Sequence, residues 1–162
     1  MAPDLLKLPI LVFGTTEVHR LLRELDALET YFQSANLRAG GASSVLPKVS
    51  RLLDSLASEN KMNLLQPLDR QKLAAFLKSI IQSAPTVHIS FAADPSAAFT
   101  AKIVDWLRRN VHPQTLLSLG LQPTIAAGCV VRTSNKLFDF SLRNRFTERR
   151  QTLISQLEHK QP

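Results

Sequence analysis

Two periodicities divide the chain. Through residues 18–84 apolar side chains recur every three or four positions, the spacing that places them on one face of a helix. Val18, Leu21, Leu22, Leu25, Leu28, Phe32 and Ala35 form the first such stripe, and Gly40 with Gly41 ends it. A second helix is expected to open near Pro47 and to present Val49, Leu52, Leu53, Leu56 and Ala57. A third begins around Asp69, presents Leu73, Phe76, Leu77, Ile80, Ile81 and Ala84, and is stopped by Pro85. Met62, Leu64 and Leu65 make the connector over 60–67 apolar enough to pack without being a helix of its own. Near residues 83–86 the helical period gives way to two-residue alternation, which is the signature of a strand. The boundary is therefore placed there, with a helical bundle over 1–85 and an α+β region over 86–162.

In the second region, 87–92 alternates as a strand. Asp94 stands at a helix cap position with Pro95 at the first helical position, and Phe99, Ile103, Trp106 and Leu107 are the expected buried stripe of the following helix. Residues 110–113 close that helix and 115–121 supply another strand. A Pro-led turn then precedes two short β-favouring runs, 128–133 and 137–140. Ser134 and Asn135 form the connection, with Asn suited to the positive φ of tight hairpins. Along the second run Phe138 and Phe140 fall on one face while Leu137 and Asp139 fall on the other. Ser141 stands where its hydroxyl can cap a final helix carrying Leu142, Phe146, Leu153 and Leu157. The order from about residue 87 is β, α, β, β, β, α, and the fold class is α+β.

Charge changes the picture at the carboxyl end. Of a net +7, residues 132–162 carry seven basic and three acidic side chains, against ten and eight over 1–85. Arg143, Arg145, Arg149 and Arg150 on the last helix, with Arg132 and Lys136 nearby, complement an acidic partner or form a solvated face. The early apolar run 8–13 is too short for the roughly 20 residues of a membrane span, and no signal-peptide pattern is read, so the expectation is a cytoplasmic location. Cys129 is a single cysteine among Gly128, Val130 and Val131, and is read as a buried, inert thiol.

No catalytic, cofactor-binding or metal-ligating set is read from the residues. His19, His88, His112 and His159 lie in different elements without metal-ligand spacing. Asp139 and Ser141 lack a recognisable base and oxyanion hole, and capping accounts for them. Gly40 and Gly41 do not have the spacing of a phosphate loop.

Pro123, Ile125, Gly128, Val130, Val131, Arg132, Asp139 and Ser141 together resemble the carboxyl-terminal signature of the ATP synthase delta subunit family, called the oligomycin-sensitivity-conferring protein in mitochondria. Gln122, Ala127, Asn135 and Phe140 differ from the family pattern, and the likeness covers mainly residues 87–158. The three-helix half is shorter than the family's six-helix bundle. The resemblance implies a non-catalytic stator component of a proton-translocating ATP synthase, held at the membrane through the complex. Its implied partners are the carboxyl-terminal helices of the peripheral stalk b subunit and, through the helical half, the alpha subunit. Phe138, Phe140, Arg143, Arg145 and Arg149 are the candidate partner-binding residues. A competing reading is a nucleic-acid-binding adaptor that uses the same basic helix and hairpin, draws on phosphate contacts and weakens with salt. No small-molecule substrate is expected on either reading.

Overall fold

The computed structural model of the chain describes residues 6–37, 47–143 and 149–150. Its elements run α1 (Thr15–Leu37), α2 (Arg51–Glu59), α3 (Pro67–Ser83), β1 (Thr86–Phe91), α4 (Ala97–Asn110), β2 (Leu116–Leu121), a 3-10 turn (Pro123–Ile125), β3 (Cys129–Arg132) and β4 (Leu137–Asp139). Helices precede a small mixed four-stranded sheet, an α+β fold. Two compact units are present: Met1–Pro85 with Ile103–Leu116, and Thr86–Lys102 with Leu117–Pro162. Where the change of periodicity marks one boundary, the division is discontinuous, because most of α4 belongs with the helical unit.

In the first unit the predicted stripes meet, except for Val49 and Ile81, which are exposed. Val18, Leu21, Leu25 and Leu28 of α1 pack with Leu53 and Leu56 of α2 and with Leu73, Phe76, Leu77 and Ile80 of α3, joined by Leu8, Val12 and Leu116. Complete burial of a leucine contributes about 1.5–3 kcal/mol, so this cluster dominates the unit's stability. The second helix starts at Arg51, not near Pro47, because Ser50 takes the cap: its Oγ accepts from Leu53 N at 3.3 Å and donates to Glu24 Oε2 at 2.5 Å. The third starts at Pro67, two residues before Asp69, since proline at the first helical position sacrifices no hydrogen bond.

Two arginines tie this unit together. Arg70 of α3 is buried; its Nε donates to Glu29 Oε2 on α1 at 2.7 Å and its Nη1 to the carbonyls of Leu64 and Leu65, each at 3.0 Å. Its guanidinium also lies 4.5 Å from the centre of the Phe32 ring. That hydrogen bond from Arg70 holds the Glu29 carboxyl below its ordinary range. Arg108 of α4 donates to three carbonyls of the amino-terminal segment, from Nη1 to Leu8 and Pro9 and from Nη2 to Val12, at 2.6–2.9 Å.

In the second unit the strand order is β2-β1-β3-β4. β1 and β3 are antiparallel, with Ile89 opposite Val131, and β3 and β4 are antiparallel, with Val131 opposite Phe138. β2 advances alongside β1 in the same sense, since Leu116 N–H bonds Pro85 O and Gln122 N–H bonds Phe91 O. A strand, helix and adjacent parallel strand are the expected product of the alternating pattern over 86–121.

The structure corrects three local expectations. Ser96, not Asp94, caps α4, its Oγ accepting from Phe99 N. Of the expected stripe on α4 Leu107 is buried, but its inward companions are Thr100 and Val104, whereas Ile103 is half-buried and Phe99 and Trp106 are 49% and 59% exposed. Both rows obey helical spacing, so periodicity alone does not choose between them. Asn135 does not take the positive φ expected of it. Instead the connection is closed by Thr133 N–H on Lys136 O at 2.8 Å, while the Thr133 hydroxyl accepts from Lys136 N–H at 3.1 Å.

Candidate functional site

The signature residues converge in the second unit. Gln122 leads into the 3-10 turn, which buries Ile125 and brings the chain round through Ala126 at φ 66°. Ala127 N–H then bonds Ile125 O at 2.9 Å, closing a three-residue turn of a strained kind. Gly128 follows at φ 94°, and a Cβ there would collide with the carbonyl oxygen of Phe140. Glycine is therefore required twice over, by conformation and by the close approach of the returning strand.

That returning strand is locked to the turn. Phe140 N–H bonds Cys129 O and Leu142 N–H bonds Ala127 O, each at 2.9 Å. Asp139 Oδ1 accepts from the N–H of Ser141 at 2.8 Å. The Ser141 hydroxyl, its N–H and the field of Arg143 keep the Asp139 carboxyl below its ordinary range, in that order. Ser141 is buried, and Leu142 and Arg143 are helical. Asp139 and Ser141 thus form a turn just before the helical residues Leu142 and Arg143, with the carboxylate as acceptor.

The two faces of the sheet differ. Along one, Ile89, Val131 and Phe138 stand side by side across β1, β3 and β4. Ile89 is buried, Val131 half-buried, and Phe138 and Phe140 are 43% and 60% exposed. Phe91 packs edge-on against Phe99 of α4, ring centres 6.0 Å apart, so helix cover lies over the β1 side and falls away toward β4. At the uncovered edge Phe138 and Phe140 stack on each other, 6.3 Å apart and 10° from parallel. Leu137, on the other face of the same strand, and Leu142, which follows it in the chain, are also exposed, and sequence reading did not single them out for binding. Arg143, which follows this edge in the chain, and Arg149 are exposed, while Arg145 and the Phe146, Leu153 and Leu157 stripe expected of a final helix lie outside the described residues. Arg132 is exposed on the opposite face, across from His88 and Leu137.

On that opposite face His88 Nδ1 meets Ser118 Oγ at 3.0 Å and its Nε2 meets Ser90 Oγ at 3.3 Å. Both ring nitrogens are occupied, and Gly120 leaves room for the ring, since a Cβ there would come within 3.0 Å of Nε2. Cys129 is half-buried rather than buried, and desolvation pushes its thiol up, away from the reactive thiolate. Among the described residues no group of three or more His, Cys, Asp and Glu is placed to hold a metal ion, and no helix is long and apolar enough to cross a membrane. Among the described residues the arrangement offers a docking edge: an apolar aromatic pair, an edge strand and a cationic flank. No protein-family model matches the chain, and no curated protein matches it.

Proposed function

We propose that the chain is a non-catalytic stator component similar to the ATP synthase delta subunit, which joins the catalytic head to the carboxyl-terminal helices of the stalk b subunit. The observation that carries this reading is the stacked Phe138–Phe140 pair on the uncovered end of an otherwise helix-covered sheet face, in the same short segment as the resemblance. Aromatic anchors in a partly desolvated patch are the usual source of binding energy at protein interfaces, and flanking charge selects the partner. Here the anchors fit the apolar face of a helix, and Arg143, Arg145 and Arg149 fit acidic residues at its rim. The first unit would supply the second, head-facing contact on the alpha subunit, and the complex would hold the chain at the membrane. The role is mechanical, resisting torque.

Calorimetric titration with the soluble carboxyl-terminal part of the b subunit from the same organism tests the reading, with duplex DNA and RNA as controls. The expected result is saturable stalk binding that weakens by about 1–3 kcal/mol in Phe140→Ala and in Arg143→Glu, while both variants unfold cooperatively. Unchanged affinity in folded forms of both variants removes this edge from the interface. Salt-sensitive binding to nucleic acid without stalk binding replaces the stator reading with that of a basic adaptor.

A further inference from the structure

Within the first unit, a cavity of about 530 Å³ opens between the amino-terminal segment and the end of α4. This size is in the range of small-molecule sites. Leu6, Leu8 and Pro113 give it apolar walls, and every charged side chain that lines it is basic. The charges are not equivalent. Arg109 is neutralised by a two-point pair with Asp105, Nε to Oδ1 at 3.0 Å and Nη2 to Oδ2 at 2.8 Å. Among the described residues, Lys7 and Arg108 have no carboxylate at ion-pair distance. Arg108 spends its Nη groups on three neutral carbonyls, and its buried Nε has no hydrogen-bond partner. Carbonyls satisfy guanidinium protons without cancelling the charge, and Glu59 acts on Arg108 only from beyond ion-pair distance, so among the described residues Lys7 and Arg108 leave the cavity with an excess of positive charge. His112 adds direction: its Nδ1 accepts from Gln114 N–H at 3.2 Å, which puts the proton of the neutral ring on Nε2 and makes that nitrogen a donor.

We infer that this cavity is a binding site for a small organic phosphate, whose anionic head meets the excess positive charge of Lys7 and Arg108 and whose apolar body lies against Leu6, Leu8 and Pro113. A carboxylate brings less negative charge to this excess, and a bare phosphate leaves the walls unfilled. Phosphate oxygens also suit an ammonium used as a point charge beside ring and guanidinium donors. The site lies in the first unit and is independent of the proposed stalk contact.

The test is an amide-resolved NMR titration of the full chain with phenyl phosphate, inorganic phosphate and benzoate at low ionic strength. Phenyl phosphate is expected to give saturable shifts at Lys7, Arg109, His112 and Gln114 and to bind tighter than either other probe. Lys7→Glu reverses one of the two charges yet leaves the backbone of Lys7 free to keep its two bonds to Asn60. It should weaken binding about tenfold or more, and Lys7→Gln less, whereas Lys72→Glu, at a position on α3 outside the lining, should have little effect. Three results overturn the inference: no saturable shift at these amides, equal loss in the Lys7 and Lys72 variants, which signals diffuse charge attraction, or equal affinity for benzoate.

Discussion

Arg108 is half-buried yet bonds only carbonyl oxygens, and desolvation lowers its pKa from the ordinary arginine value. Removing its guanidinium leaves three carbonyls at Leu8, Pro9 and Val12 to find other donors. Arg108→Met should therefore destabilise the protein by about 2–3 kcal/mol in denaturant unfolding, with amide exchange rising first near Val12. Asp139 gives a pH-dependent counterpart. Its folded pKa lies below its unfolded value, so the stabilisation is complete above the unfolded value of about 3.9 and is lost as pH falls through the lower, folded one. Asp139→Asn keeps an acceptor for Ser141 N–H but removes the charge. Its unfolding midpoint should lie below that of the wild type at neutral pH, and the gap should close on acidification through that window. A gap that persists in acid assigns the effect to geometry and not to charge.

Elements were legible wherever one periodicity dominated. The stripe from Val18 to Phe32 and that from Leu73 to Ile80 appear as α1 and α3, and the hairpin forms from the two β-favouring runs. Legibility failed where two apolar rows shared one helix: in α4 burial selects Val104 and Leu107 and leaves Phe99 and Trp106 exposed. It failed again at caps, where several residues can serve and the chain path selects Ser96 over Asp94. The candidate site was partly legible. Gly128 belonged to the motif on sequence grounds, but its reason, the crossing of Phe140 O, involves a residue twelve positions away. Gly128→Ala combines a positive φ with that collision and should cost at least about 2 kcal/mol. Equilibrium unfolding, with near-ultraviolet spectra to follow the Phe138–Phe140 edge, checks this; a loss below 1 kcal/mol would mean that the turn relaxes.

At the scale of the whole molecule, the helical unit is not the first half of the chain. It takes in Ile103–Leu116, and with it the buried residues Val104, Leu107 and Leu116 and the Arg108 latch. A fragment of residues 1–85 should therefore fail to unfold cooperatively by heat or denaturant, whereas the full chain does so; a sharp transition in the fragment would show that the three helices suffice. The sequence by itself determined the kinds of the described helices and strands, their order and the α+β class, because helix and strand periods are set by neighbours within a few positions. Only the tertiary structure decided which face of α4 turns inward, where cover over the sheet ends, and that Lys7 and Arg108 share a cavity. Arg108 reaches a carbonyl 100 positions away. Such a contact leaves no trace in local spacing, and it is chosen when burial of the whole set of apolar faces outweighs the entropy of bringing distant segments together.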